Sequence, residues 1–385
     1  MSSMKSRNAT VALIFGHIAG MIDLAALPVW VGTLSVGFGL GNTQAGGLVT
    51  AFLIGVVLAS LVVARVFHTL PGHLVAPVGY GCSAACLFAM SQLEPAFGTF
   101  LMLHALAGIA TGAVLSTTHG TMGRTDNPLR IFALGSAGFG VFALVFLGTA
   151  PAVVAHSGPA TFFVIVAAIM AIAAFVTLVF FPRERSAPGH APATAPIPAD
   201  VWLVIVGVML MNFVQALTFS YVERIGMARG YAEGEVQLVL LSIGIVNMFP
   251  ALVAAALQGH LPPLKVGIAG AIVQALLSIL ITGPDAFLLY AIPSLFLAAV
   301  MIFTHTFLFG FLAKADPSAR ATAATPAMTM SGSAIAPLLG GLLSDMIGYE
   351  AIGFTAALAA CVTVTLFARA NSSVLPAGRA NSSTT

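Results

Sequence analysis

Charge is what this sequence has least of. Lys, Arg, Asp and Glu together make up 7% of its 385 residues, where a water-soluble globular chain carries about 25%. That deficit excludes a surface facing water on all sides. The net charge is +2, with the basic residues spread one or two per loop. No basic face suited to nucleic acid results, and no nucleic-acid partner is expected. Cysteine is also scarce: Cys82, Cys86 and Cys361 all fall inside apolar runs, where they read as small apolar filler. Enzyme signatures are missing too. There is no His-Glu-x2-His and no Gly-x-Gly-Asp, and no central carboxylate stands in a position to pair with another. A Gly-x4-Gly-Lys-Ser/Thr nucleotide loop is absent, and no soluble stretch is large enough to house one, which argues against an ATP-driven pump. The reading is of a non-enzyme with no cofactor and no metal.

What the chain has in quantity is apolar length. Hydrophobic residues are 59% of the sequence and the mean hydropathy is +1.04. Twelve apolar runs recur at roughly 11–33, 44–67, 73–93, 96–118, 130–154, 159–181, 201–223, 235–258, 264–283, 286–312, 320–345 and 350–368, each near the ~20 residues a helix needs to cross a bilayer. They are continuously apolar, without the alternation of barrel strands. The expected fold class is therefore an all-α integral membrane protein of twelve transmembrane helices. With the amino terminus inside, Lys5, Arg7, Arg65, Arg124, Arg130, Arg183, Arg185, Lys265, Lys314, Arg320, Arg369 and Arg379 lie on inner segments, and only Arg224 and Arg229 fall outside. This positive-inside bias predicts both termini in the cytoplasm of a multi-pass plasma-membrane protein, a bacterial inner membrane fitting best. The first run is long enough to span, so an uncleaved first helix is expected and not a signal peptide. Asn-x-Ser/Thr triplets at Asn8, Asn371 and Asn381 fall on predicted cytoplasmic tails and carry no clue.

The chain reads as two halves. Residues 182–200, PRERSAPGHAPATAPIPAD, lack helical periodicity and read as a flexible cytoplasmic linker. They divide a six-helix bundle over 1–181 from a second over 201–385 with a short tail. An offset of 190 residues lays GRTDNPLR (from Gly123) over AKADPSAR (from Ala313), matching Arg124 to Lys314, Asp126 to Asp316 and Arg130 to Arg320. At the same offset Ala26-Leu27 meets Ala216-Leu217 and Gly158 meets Gly348, while a shift of one aligns Leu70-Pro71 with Leu261-Pro262.

Two parallel six-helix repeats on one chain resemble the major facilitator superfamily of secondary transporters. GSAIAPLLGGLLSDMIGYEAIGF, from Gly332, resembles that superfamily's Gly-x3-Gly-Pro-x2-Gly-Gly pattern with a following acidic residue. Ala336 stands where a second Gly is usual, and the motif sits in the eleventh span while the fifth keeps only GSAGFG. After the second span the family often carries Gly-x3-Asp-Arg-x-Gly-Arg-Arg. Here ARVFHTLPGHLV retains Arg65 alone. The resemblance implies gating or structural roles for Arg65, Gly332, Pro337, Gly340 and Gly341. It also implies that the first, fourth, seventh and tenth spans line a central cavity.

The informative residues are polar ones at membrane depth, where an unneeded polar group is only a cost. Asp23 is the carboxylate nearest the centre of any span. An ionised Asp there costs on the order of 3 kcal/mol on insertion scales, so it should either face water or take up a proton. It is the expected proton-coupling site, the alternative being a structural Asp bonded to a neighbouring helix. Its helical face carries Gly16, Ala19, Gly20, Ala26 and Trp30. His17 lies about 120° around the helix at ~100° per residue, so it is no obvious partner. In the seventh span Asn212, Gln215, Phe219 and Glu223 share one face by spacing. Cavity lining and plain interhelical bonding are both open for this stripe. Thr322, Thr325, Thr329 and Ser333 form a second stripe, for which back-bonding to their own helix is the expectation. His104 and His305 are the remaining titratable groups at depth, placed inward by the resemblance. Trp30, His104, Asn212, Gln215, Phe219 and His305 make up the expected substrate-cavity set. Asn247, three residues before Pro250, is placed to satisfy the carbonyl that the proline frees.

No Lys or Arg stands at mid-membrane, which points away from strongly anionic solutes and toward neutral, zwitterionic, cationic or apolar ones. The expectation is a monomeric, proton-coupled secondary transporter of a small organic solute, working in the lipid bilayer by rocking of its two halves. Uptake and export are both open. An exporter of apolar or cationic compounds is one alternative, and a non-transporting receptor or lipid-binding scaffold is another.

Overall fold

The computed structural model describes residues 2–66, 69–94, 96–123, 125, 128–183, 199–257, 259–315 and 325–380. Among them there is helix and no strand. Twelve helices are long and apolar enough to cross a membrane. These are span 1 (Arg7–Gly37), span 2 (Asn42–Val66), span 3 (Gly72–Gln92), span 4 (Phe97–Met122), span 5 (Leu134–Ser157) and span 6 (Ala160–Phe180). They continue as span 7 (Ala199–Ala228), span 8 (Glu233–Ala254), span 9 (Pro263–Thr282), span 10 (Phe287–Leu312), span 11 (Ala327–Met346) and span 12 (Glu350–Ser372). Most of the linker, together with Arg124, Asp126, Asp316, Arg320, Thr322 and Asn381, lies outside the described residues, as do the side chains of Arg130 and Lys314.

Contacts divide the chain into two compact units, Met1–Ala191 and Pro192–Thr385. In the N-terminal unit, span 2 packs on span 4, span 3 on spans 4 and 6, and span 1 on spans 4, 5 and 6. In the C-terminal unit, span 8 packs on span 10, span 9 on spans 10 and 12, and span 7 on spans 10, 11 and 12. Each pairing in one unit has its counterpart six spans on, so the two units are repeats of one six-helix design. The paired turn residues follow the same rule. Gly158 (φ 92°) and Gly348 (φ 124°) each close the fifth helix of a repeat in the left-handed region that glycine enters without steric cost. Pro71 and Pro262 each stand immediately before the third helix, where a missing N–H is harmless.

Inside each unit the helices touch through small residues. A Cβ on Gly55 would lie 2.7 Å from the Ala105 carbonyl oxygen, and Cβ atoms on Gly108 and Gly112 would overlap the Phe52 and Val56 carbonyls. Spans 2 and 4 therefore run backbone to backbone, the arrangement that small residues permit between membrane helices. The outward faces are apolar: Leu58, Val62, Phe175, Leu178, Leu252 and Leu358 are all exposed, as bilayer contact requires. Cys82, Cys86 and Cys361 are free.

Four of the described spans are interrupted where the sequence suggests continuity, span 11 among them, between Thr325–Ala334 and Ala336–Met346. Span 1 consists of helices Ser2–Gly20 and Asp23–Gly32 and a π-helical end, Thr33–Gly37. Span 7 consists of Ala199–Phe219 and Val222–Ala228. Span 8 breaks between Glu233–Val246 and Pro250–Leu257. At that last break the expected role of Asn247 is corrected. The Val246 carbonyl freed by Pro250 accepts the Phe249 N–H at 3.2 Å, three residues on. A tightened turn closes the gap more cheaply than a side chain does.

Candidate functional site

In span 1 the α-helix is interrupted at Met21–Ile22. The Ile22 N–H reaches the Ala19 carbonyl at 3.4 Å and the Ala25 N–H the Ile22 carbonyl at 3.1 Å, bonds to the third residue back in place of the fourth. Asp23 opens the next helix, so its carboxylate stands in the first turn at the positive end of the segment. The side chain is 1% exposed, and neither Oδ1 nor Oδ2 has a hydrogen-bond partner. This is an acid held at depth and away from water, with the backbone N–H groups of Asp23 and Leu24 beside it and no side chain bonded to it.

Span 4 lies along this stretch in a register that the contacts define. Gly16 faces Thr118 and Gly20 faces Leu115, and Trp30 bonds His104. Between Leu115 and His104 the one hydroxyl that span 4 carries is that of Thr111. The Thr111 hydroxyl is already 2.9 Å from that of Ser83, a closed pair. Toward the N-terminal end of span 1, the Tyr80 hydroxyl donates to the Gly16 carbonyl at 2.6 Å, and His17 Nδ1 stands 2.8 Å from His119 Nε2. His17 thus has a partner, and it is a residue the sequence reading left out. Predicted span 4 ended at 118, the first residue of a polar THGTM stretch, whereas the helix runs on to Met122.

Trp30 and His104 belong together. Trp30 Nε1 donates to His104 Nε2 at 3.2 Å, and His104 Nδ1 donates to the Phe100 carbonyl at 2.7 Å. Both imidazole nitrogens are thereby used, which fixes the tautomer. Phe52 and Phe162 pack on Trp30 with centroids at 4.9 and 5.5 Å, and Phe163 meets His104 edge-on at 5.8 Å. Both rings are fully buried in an aromatic cluster within the N-terminal unit.

In the C-terminal unit two expected residues do meet. Asn212 Nδ2 donates to His305 Nε2 at 3.0 Å and to the Val208 carbonyl at 2.9 Å, while the His305 ring stacks on Phe309 at 4.9 Å. Gln215 accepts from Gln274 Nε2 of span 9 at 3.4 Å. Below it Thr218 donates to Ser278 at 3.0 Å, and Ser278 to the Gln274 carbonyl at 2.9 Å. Gln274 was missed by sequence reasoning, although a lone amide in an apolar run is the same signal that marks Asn212. Gln215 and His305 are half-buried, and Phe219 is buried.

The four-residue stripe of span 7 is not one continuous face. Ser220 donates to the Ala216 carbonyl at 2.6 Å and the Tyr221 N–H reaches Thr218, ending the helix between Phe219 and Glu223. Glu223 opens the next segment with Oε2 buried and unpartnered. The break is where span 11 docks. The Tyr221 hydroxyl donates to the Pro337 carbonyl at 2.6 Å, and a Cβ on Gly340 would lie 2.5 Å from the Tyr221 ring. One Cβ on Gly332 would overlap the Met209 carbonyl. Gly341 is buried. Arg65 is exposed in the last turn of span 2. Ser333 back-bonds to Thr329 at 3.3 Å, as its stripe suggested.

Twelve spanning helices in two repeats, with a buried acid at a helix break in the first, define a multi-pass membrane transporter architecture. The family model described as Major Facilitator Superfamily matches residues 13–332, and the chain belongs to that superfamily of secondary transporters. Solved structures share its fold. A point mutant of the nucleoside transporter NupG superposes with a TM-score of 0.71 at 14% identity, covering 94% of this chain and 99% of that one. The unmutated NupG gives 0.68 at 14%, over 95% and 98%. A bacterial homologue of the human lysosomal transporter Spinster, inward-facing and unoccupied, gives 0.67 at 14%, over 95% of each chain. No curated protein matches the sequence.

Proposed function

We propose that this transporter couples the movement of a small organic solute to protons, with Asp23 carrying the coupling proton. The observation behind the proposal is the carboxylate itself, buried at membrane depth with no side-chain partner on either oxygen. A group in that setting holds its proton until a conformational change readmits water, and such a cycle is what alternating access supplies. The interrupted helix at Met21–Ile22 is the place where a small movement would open the acid to water.

Solute contacts are assigned to the C-terminal unit, on Gln215 and His305 with Asn212 and Gln274 behind them. These amides and the imidazole suit hydrogen bonding to a neutral or zwitterionic solute, with Phe219 beside an apolar part. The lack of Lys or Arg at mid-span supports the same solute class. The distribution of basic residues supports a plasma-membrane protein with cytoplasmic termini.

The test is solute-induced proton flux in proteoliposomes over a panel of small metabolites, nucleosides included because a nucleoside transporter shares the fold. Wild type moves protons with one class of compound. Asp23→Asn exchanges the same labelled solute without proton movement. Full proton-driven accumulation by Asp23→Asn would sink the assignment. Retention of the labelled solute by cells with and without the protein separates uptake from export.

A further inference from the structure

We infer that His305 is held as an uncharged hydrogen-bond donor and that, with Asn212, it selects solutes carrying an amide or hydroxyl group over carboxylates and amines. The inference rests on the placement of solute contacts in the C-terminal unit proposed above. It starts from equivalent pairs in the two repeats. Span 1 meets span 4 through Trp30 and His104, and six spans on, span 7 meets span 10 through Asn212 and His305.

In both pairs the partner fixes the imidazole tautomer. The Val208 carbonyl, 2.9 Å from the Asn212 amide, can only accept, so the amide atom facing it is the nitrogen. That same nitrogen stands 3.0 Å from His305 Nε2. An amide nitrogen donates and does not accept, so Nε2 accepts and the ring hydrogen lies on Nδ1. A second hydrogen, on Nε2, would face the hydrogens of that amide. Trp30 Nε1, also a donor only, imposes the same tautomer on His104.

The pairs differ at the other nitrogen. His104 Nδ1 donates to the Phe100 carbonyl at 2.7 Å, four residues back, in a fully buried ring. His305 is half-buried, and no described residue bonds its Nδ1, which is not enclosed either. Asn212 Oδ1 is in the same position. Both hydrogens of that amide are used, while its oxygen is neither bonded nor enclosed. The C-terminal pair thus presents one donor and one acceptor. Phe309, stacked on the imidazole at 4.9 Å, holds the ring plane.

A solute group that accepts from Nδ1–H and donates to Oδ1 satisfies both, and an amide or a hydroxyl does so without charge. A carboxylate accepts from Nδ1–H but turns a lone pair toward Oδ1. An ammonium donates to Oδ1 but turns hydrogens toward Nδ1–H. Each ionic group leaves one partner unmatched, a penalty of roughly tenfold in affinity.

The test uses the full chain in a non-ionic detergent, with isotopically labelled histidine nitrogens read by NMR and the His305 signal assigned from His305→Gln. The probes are benzamide, benzoate and benzylammonium, which share a ring and differ in the polar group. Wild type carries the His305 hydrogen on Nδ1, and benzamide shifts that signal and binds roughly tenfold more tightly than either ion. His305→Gln, whose amide reaches the Nε2 position, loses benzamide affinity by a similar factor. His305→Asn, whose amide reaches the Nδ1 position, binds benzamide more tightly than His305→Gln does. A hydrogen on Nε2 in wild type overturns the proposal, as does an equal response to the three probes or a response to none. No proton gradient is present, so these results stand apart from the coupling role of Asp23. Unchanged solute transport by His305→Gln with benzamide binding lost would overturn the placement of the transport site and not the tautomer.

Discussion

His17 Nδ1 and His119 Nε2, 2.8 Å apart, join the N-terminal half of span 1 to the C-terminal end of span 4. At that separation one nitrogen carries a hydrogen and the other accepts it, so the tautomers of the two rings are linked. His119 Nδ1 is buried with no partner, and the Phe132 ring meets the His119 imidazole edge-on at 5.5 Å. Interhelical hydrogen bonds in membranes average about 0.6 kcal/mol, with a maximum near 1.7. A double-mutant cycle of His17→Ala and His119→Ala, read by unfolding of the purified protein, is expected to return a coupling energy of about that size. Strictly additive single effects would mean that the bond contributes nothing.

The close approach of spans 2 and 4 makes a sharper stability prediction. Gly108→Ala forces a methyl group into the Phe52 carbonyl and is expected to cost ~1–3 kcal/mol, as overpacking does. Gly55→Ala meets the Ala105 carbonyl at 2.7 Å and acts in the same direction. Gly140→Ala has nothing within 4 Å and sits inside a helix, so it is expected to stabilise by about 0.5–1 kcal/mol. Melting temperatures of the three variants check the order. A neutral Gly108→Ala would contradict the backbone contact.

These features differ in how far they could be read from the residues alone. The spans were legible because each is a continuous apolar run of bilayer length. The repeat was legible at Gly158 and Gly348, since a left-handed turn leaves glycine at equivalent places. The breaks at Met21–Ile22 and Ser220–Tyr221 were not, because no proline marks either and the bonds that replace the helical ones are local. His119 was hidden by its setting in THGTM, whose polarity reads as a loop until packing against His17 and Phe132 is known. Trp30 and His104 had the right residue types for a cavity. Which way they face is decided by Phe52, Phe162 and Phe163, distant in sequence.

Tyr221 and Pro337 tie the break in span 7 to the Gly- and Pro-containing turn of span 11. Tyr221→Phe removes a 2.6 Å hydrogen bond while keeping the ring against Gly340. The expected loss is about 1 kcal/mol, with transport slowed and the fold retained. Gly340→Ala pushes on that ring from 2.5 Å and should slow transport further. Transport rate set against melting temperature for the two variants checks this. If both fall in strict proportion, the contact serves stability alone and gating lies elsewhere.

Asp23 allows a prediction whose sign separates its two possible roles. A structural carboxylate bonded to a neighbouring helix would be missed on removal, at a cost of ~3–5 kcal/mol for a broken buried pair. Here neither oxygen has a side-chain partner on a neighbouring helix and the side chain is buried, so beyond the Asp23 and Leu24 N–H groups the acid is a cost that the fold carries. An Asp at a helix centre is disfavoured by about 2.5–3.5 kcal/mol on insertion scales, whereas Leu is favoured. Asp23→Leu is therefore expected to raise stability by on the order of 1–3 kcal/mol while abolishing proton-coupled transport, the trade expected of a site kept for function. Melting temperature and proton flux on the same preparation decide it. A less stable Asp23→Leu would show that a partner holds the carboxylate in the working protein, and the proton-carrying role would then pass to another group.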